Sequence, residues 1–387
     1  MNSFKFDDMN RPHHISFSRF YASHLSFGKR LEVRLFVLLL LFSAVACQED
    51  FKTEGPRGKI LKNDCLKYSL GPNVAGLEIE FVYAMALPQK AGNLLSASVE
   101  ASIAGDDGTW MEHRSYNPNP RYNPLTDQIE YFFTVGEPSV TNGAKTSVAF
   151  TLLDTCAAAL RYYYKIPSAA KGKDVNFTFS ATASNGETVS YKMGPYTIAK
   201  MDIKFGLQVD ATNCYISLAD MAAYDATEAE ANPSKIDLIY LYRNYPAWGI
   251  TFGHAFVSQM ANPDYLPADN PRYQRDGFPL PPGINNNSRI RKTNELRDRQ
   301  LHDFPGLKDI PDLQPSPEGK YVDDADLELI DFNNMPNYAI DIKQEGGMWV
   351  ETQDQKYRAY IYVNYVISPN NSGNGSAIIS IKRLTMK

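Results

Sequence analysis

Apolar residues recur at every second position along much of this chain, and that period constrains its fold more than any other feature. Leu77, Ile79, Phe81 and Tyr83 fall on one side while Glu78, Glu80 and Val82 fall on the other. Side chains of an extended strand alternate between faces, so the pattern predicts a half-buried strand. Further strands are expected at 93–103, 129–135, 147–153, 160–166, 175–183 and 188–198. Between them stand Gly-Asp-Asp-Gly (105–108), Thr-Asn-Gly (141–143) and Ser-Asn-Gly (184–186), turn chemistry that permits positive φ. Short strands at this spacing predict an immunoglobulin-like β-sandwich over residues 65–200.

A second β-rich domain is expected over 201–387. Residues 202–209 and 214–218 read as strands, and the Ala-rich stretch 225–232, capped by Asp225 or Thr227 and closed by Pro233, reads as a short helix. Ile236, Leu238, Tyr240 and Tyr242 alternate with Asp237, Ile239 and Leu241; apolar residues on both sides place this strand centrally in a sheet. The C-terminal stretches 339–343, 349–352, 358–367 and 377–384, separated by turn residues at 345–347 and 369–376, predict an antiparallel meander. The fold class is therefore mainly β, with two β-sandwich-like domains. Between the strands, 260–334 forms a long insertion rich in Pro, Asn, Arg and Asp, a length that marks functional or disordered loops. Within it a helix is expected over 289–302, carrying a solvated basic cluster of Arg289, Arg291, Lys292, Arg297 and Arg299. The acidic run Asp323, Asp324, Asp326, Glu328 and Asp331 lacks the Gly of a calcium loop and is read as a charged edge strand.

The first 46 residues read as a signal peptide. Lys29, Arg30 and Arg34 precede an apolar run from Leu35 to Val45, broken by Ser43, and Ala44-Val45-Ala46 supplies small residues for cleavage. Such a run is about half the length needed to span a hydrocarbon core. Cleavage between Ala46 and Cys47 resembles the lipobox of bacterial lipoproteins, which implies acylation of Cys47 and a stable membrane anchor. Gln48, Glu49 and Asp50 resemble the acidic export signal of Bacteroidetes-type surface lipoproteins, which implies an outer-membrane protein facing the medium. Residues 47–64 are then an acidic lipid-anchored tether.

The whole chain carries −5, and the leader holds six basic residues against three acids, so its removal leaves an acidic remainder that argues against nucleic acid as a partner. Beyond Cys47 the cysteines are Cys65, Cys156 and Cys214. A bridge would join Cys65 to Cys156, and reduced buried thiols are an equal expectation for so sparse a set. Nucleophile elbows, phosphate loops, zinc-protease helices and paired Cys-x-x-Cys motifs are missing from the sequence. After the leader only His113, His254 and His302 remain. His254 is read as a core histidine satisfied by hydrogen bonds. The reading is non-enzymatic, with no catalytic residue, cofactor or metal assigned, although carboxylate pairs for glycoside hydrolysis leave no local motif.

The remaining signal is aromatic. Trp110, Tyr116 and Tyr122 form one cluster, and Tyr240, Tyr242, Tyr245 and Trp248 another. Alternation assigns Tyr240 and Tyr242 to the core, whereas Trp110, Tyr122, Tyr245 and Trp248 adjoin loops and are the candidate ligand-binding residues. Sugar rings stack their C–H faces on such side chains while neighbouring polar groups bind hydroxyls.

Two stretches carry a resemblance. One runs from Leu160-Arg-Tyr-Tyr-Tyr-Lys-Ile-Pro through Asn185-Gly-Glu to Gly194-Pro-Tyr-Thr-Ile. The other holds Cys214-Tyr-Ile-Ser-Leu, Ile236-Asp-Leu-Ile-Tyr-Leu-Tyr and Gly253-His-Ala-Phe-Val-Ser. Over most of 150–387 the chain resembles a family of uncharacterised two-domain surface lipoproteins of gut Bacteroidetes, often associated with glycan uptake. The resemblance implies a surface protein that binds an extracellular ligand, a glycan first and a protein partner in adhesion or assembly second. It transfers no functional residue beyond Cys47.

Overall fold

The computed structural model describes residues 60–125, 127–152, 155–245, 250–259, 283–294, 296–302, 319–370 and 375–386. The leader, Cys47, Gln48, Glu49, Asp50 and Trp248 lie outside them, as does most of 260–318.

Eleven strands build the first domain: β1 (Lys62–Lys67), β2 (Glu78–Ala86), β3 (Leu94–Ala101), β4 (Trp110–Met111), β5 (Arg114–Asn123), β6 (Gln128–Thr134), β7 (Val140–Asn142), β8 (Lys145–Ala149), β9 (Ala157–Lys165), β10 (Asp174–Ala183) and β11 (Thr188–Thr197). One sheet has the order β1-β2-β9-β4 and the other β11-β10-β3-β8-β7, and β5 pairs with β6 as a separate hairpin. The alternation seen in the sequence aims Phe81, Tyr83 and Tyr162 of the first sheet at Phe177 and Phe179 of the second. Ring centroids approach to 4.8 Å for Phe81–Phe177 and 5.2 Å for Tyr83–Phe179. This tilted packing joins the two sheets through an aromatic core.

The second domain contains β12 (Asp202–Val209), β13 (Tyr215–Ser217), β14 (Ala222–Tyr224), β15 (Leu238–Tyr245), β16 (Ile250–Val257), β17 (Arg289–Thr293), β18 (Tyr338–Ile342), β19 (Gly347–Glu351), β20 (Tyr357–Ile367) and β21 (Ser376–Thr385). Its sheets run β12-β21-β20-β19-β17 and β14-β13-β15-β16-β18. β15 is central in its sheet, with Leu238 to Arg243 all buried, as its apolar faces demanded. Among the described residues three short α-helices accompany the strands: α1 (Ala226–Ala231), α2 (Arg299–His302) and α3 (Asp324–Leu329). Asp225 caps α1 in a reciprocal capping box with Glu228.

A third cluster fuses the two domains. On β20, Ala359, Ile361 and Val363 enter the second sandwich, whereas Tyr360 and Tyr362 point the other way, joining Trp349, Leu301, Leu327 and Phe332 against Val74, Ala199 and Met201. The Asp324 carboxylate accepts the backbone N–H groups of Lys200 and Met201 at 2.6 and 3.0 Å, and Gln300 donates to the Pro72 carbonyl at 3.0 Å. Behind these contacts Asp298 and Lys382 form a fully buried ion pair at 2.7 Å. Asp298 also accepts from Leu301 N and Val322 N, while Lys382 donates to Val322 O. Burial lowers the Lys382 ammonium from its ordinary range, with the Asp298 carboxylate opposing that shift.

Several expectations need correction. β1 begins at Lys62, inside the stretch read as tether, because a six-residue edge strand offers too little alternation to be seen. The expected helix over 289–302 is instead β17, paired with β19, followed by the single turn of α2. Its basic residues are dispersed: Arg289 pairs with Glu351, Arg297 with Glu345, and Lys292 donates to the carbonyls of Ile340 and Asp341. The acidic run is a helix rather than an edge strand, since Asp323 and Asp326 form a capping box and Leu327 is buried in the junction. The meander holds for β19, β20 and β21, but β18 pairs with β16 in the opposite sheet. Described parts of 260–334 thus build sheet and junction. Cys65, Cys156 and Cys214 are all free thiols. β2 lies between the strand of Cys65 and the approach to β9 that holds Cys156, a separation of two strand spacings that a disulfide cannot span.

Candidate functional site

The aromatic residues of the first domain divide between its two surfaces. On β9, Tyr162 and Tyr164 point into the core, so Arg161 and Tyr163 necessarily point outward. β4 pairs with β9 so that Trp110 lies opposite Tyr163. Their rings stack at 4.8 Å and 11°, leaving Trp110 39% exposed. The Arg161 guanidinium lies 5.2 Å from the exposed ring of Tyr68. Tyr68, Arg161, Tyr163 and Trp110 therefore form a strip on the outer face of the sheet.

The β5–β6 hairpin continues this strip. Arg114, held by Glu112 through two bonds of 2.9 and 3.0 Å, lies 5.8 Å from the Phe132 ring, which meets Tyr116 edge-on at 5.9 Å. Tyr131 and Ile129 are also exposed on β6. At the tip Tyr122 is 60% exposed and donates to the Asp127 carboxylate at 2.6 Å. Beneath the hairpin a groove of about 530 Å³ is floored by small residues including Ala84, Ala86 and Ala159. Aromatic faces interleaved with guanidinium groups can stack planar or C–H faces and bind oxygen atoms along one line.

Of the four candidate residues, Trp110 sits at the base of this surface and Tyr122 at its tip. Tyr245 closes β15 in the other domain, and its side chain lies outside the described set, as does Trp248. Sequence reasoning missed Tyr68, Arg161, Tyr163 and β5. Tyr163 was legible, because strand alternation that buries Tyr162 and Tyr164 must expose the residue between them.

His254 is buried, with Nδ1 at 2.7 Å from the Tyr240 hydroxyl and Nε2 at 2.8 Å from Ser368 Oγ. Tyr240 has no other acceptor among the described residues, so its proton goes to Nδ1 and Nε2 carries the hydrogen toward Ser368. That tautomer cannot accept the serine proton, and burial, helped by Lys343, pushes the imidazole down to about 4. His254 is a satisfied core residue.

A polar cleft of about 570 Å³ opens at one end of the second sandwich, between the loops flanking β13 and β15 and the β19–β20 turn. Asp237 lies in its wall, 5% exposed, with Oδ2 accepting from Leu218 N at 2.8 Å. Burial raises this carboxyl to about 7, with the Leu218 N–H opposing the shift and the Asp354 and Asp220 carboxylates adding to it. No three His, Cys, Asp or Glu among the described residues are grouped to hold a metal ion. None of the described helices is long and apolar enough to cross a membrane.

Residues 58–198 match the family model of a domain of unknown function, DUF4466, and residues 199–386 match a second, DUF8576. A crystal structure of a DUF4466 family protein from Parabacteroides merdae is 41% identical, covering 85% of this chain and 99% of its own, with a TM-score of 0.69. A fragment of the major pilin GBS80 of Streptococcus agalactiae is 10% identical, covering 83% of this chain and 91% of its own at a TM-score of 0.24, too low to carry an argument. No curated protein matches.

Proposed function

The chain belongs to the DUF4466 family, and from that premise we propose that it is a non-enzymatic lipoprotein of the outer membrane, exposed to the medium, that binds an extracellular glycan. The observation that carries the ligand reading is the outward-facing strip of exposed Tyr68, Arg161 and Trp110 with half-buried Tyr163, continued by Tyr116 and Phe132 of the hairpin. These rings pack on one another and still leave apolar faces open to solvent, and a polysaccharide chain offers a matching row of C–H faces and hydroxyls. The location rests on the leader, the lipobox-like Cys47 and the acids Glu49 and Asp50, in keeping with the gut Bacteroidetes surface lipoproteins that the sequence resembles.

The test is affinity electrophoresis of the chain against plant, host and microbial polysaccharides, with released sugar assayed in parallel. At least one polysaccharide should retard the protein without release, and Trp110→Ala should weaken that binding about tenfold, the loss of one stacking contact. Binding untouched in both Trp110→Ala and Tyr163→Ala would remove the strip as the site. A second reading, adhesion to a protein partner, draws support from the Ala-floored groove under the hairpin. It predicts capture of a surface protein that survives both substitutions.

A further inference from the structure

The cleft of the second domain is lined by a largely buried carboxylate, Asp237. Asp237 uses Oδ2 for the Leu218 N–H, and its other oxygen has no partner among the described residues. The two carboxylates that face it are already matched. Asp220 accepts from Tyr224 Oη at 2.6 Å and Lys235 Nζ at 2.9 Å, bonds that hold it below the ordinary carboxylate range. Asp354 is raised by burial but more than offset by the Thr352 hydroxyl at 2.6 Å and Lys356 N at 3.0 Å. Arg383 donates through its terminal nitrogens to Asp202 and to the carbonyls of Leu218 and Ala219, and its buried Nε makes no hydrogen bond among the described residues. Among the described residues, none of these side chains donates a hydrogen bond to Asp237.

What the cleft still offers is mixed in polarity. Gln353 spends its Oε1 on Asn287 N, leaving its amide hydrogens as donors, and the Lys356 ammonium lies over the Tyr357 ring. Asp237 supplies an acceptor. Among the described residues no three His, Cys, Asp or Glu side chains converge here to hold an ion. A hydroxyl donates and accepts at once, and a cleft of this volume holds one or two sugar rings.

We propose that this cleft is a second ligand site, separate from the aromatic strip, that binds one or two rings of an uncharged carbohydrate with Asp237 accepting a ligand hydroxyl. The ligand class rests on the proposed glycan function; the site does not. A hydroxyl donated to the carboxylate favours its ionised form, so binding strengthens as pH rises through about 7. Asp220, Asp354, Lys235, Lys356, Tyr357 and Arg383 are the other charged or titratable groups facing this region. The acids among them already lie below that window.

The experiment is calorimetry of the full chain with neutral di- to tetrasaccharides at about pH 5.5 and about pH 8. At least one should bind, several-fold tighter at the higher pH. Asp237→Asn should bind weakly and without pH dependence, Gln353→Ala should bind about tenfold more weakly, and Trp110→Ala should leave this affinity unchanged. Gln353→Ala alters an edge of the cleft and keeps the test valid if Asp237→Asn fails to fold. No oligosaccharide binding, or binding lost only in Trp110→Ala, overturns the cleft. Polysaccharide binding lost in Trp110→Ala, with oligosaccharide affinity intact, leaves both sites standing. Cleft binding in a chain whose strip variants behave as wild type removes the strip alone.

Discussion

The two domains share a sandwich architecture but place their polar and aromatic residues oppositely. In the first, rings fill the interior: Phe81, Tyr83, Tyr162, Tyr164, Phe177 and Phe179 are buried, and a second set of rings lies outside on β4, β9 and the hairpin. In the second, the interior carries ionisable groups. Asp237, Arg243, Asp298, Glu351 and Lys382 are all buried there, whereas Glu112 is the one buried Asp, Glu, Lys or Arg among those described in the first. A dry aromatic core derives its stability from area and ring contact. Buried charges derive theirs from completed partnerships, so their loss is more abrupt and more dependent on pH.

The largest difference between the domains should appear at the Asp298–Lys382 pair. Lys382→Ala leaves a fully buried carboxylate with two backbone N–H partners and no cation, and should lower unfolding free energy by about 4 kcal/mol. The double variant Asp298→Asn with Lys382→Met should recover much of that loss in urea titration. A double variant as unstable as the single one would mean that shape, rather than charge, governs the junction.

Phe179→Ala in the aromatic core comes next, at about 3 kcal/mol, the expected effect of a cavity where Tyr83, Tyr162 and Phe81 meet. It should show no pH dependence between about pH 5 and about pH 8, because no ionised group packs on that ring. A pH-dependent loss would erase the contrast between the domains.

Asp237→Asn gives the smallest expected change and the one with a sign. The folded-state pKa of Asp237 is raised to about 7, so its contribution to stability is fully present below the ordinary carboxyl range and is lost as pH rises through about 7. The amide has no charge to bury. The variant should match the natural chain near pH 4 and exceed it by about 2 kcal/mol near pH 8, where each tenfold change in the protonation equilibrium corresponds to about 1.4 kcal/mol and residual solvation of the carboxylate reduces the total. Equal stability at both pH values would show that the carboxyl is ionised in solution and the cleft wetter than its burial suggests.

Much of the architecture was legible because burial on one face of a strand imposes a period of two. The runs around Phe81, Tyr162 and Phe179 declared their strands, and the two-sided run at 236–242 declared its central place. Asp225 announced a helix because capping chemistry is local. The same chemistry at Asp323 and Asp326 was hidden by the alternation of acids with Leu327 and Leu329, which reads equally well as an edge strand. The candidate surface was legible only in part: Trp110 and Tyr122 could be named, but their neighbours Tyr68, Arg161 and Tyr163 come from separate stretches of the chain.

The sequence alone determined that the chain is mainly β and where most strands fall. These are consequences of local periodicity and composition, which each segment carries within itself. Tertiary structure alone decided that Asp298 meets Lys382, that Asp237 is buried beside Asp354, and that Tyr360 and Tyr362 face the first domain. Those pairings join residues far apart in the chain, and burial and electrostatic partnership are properties of neighbours in space.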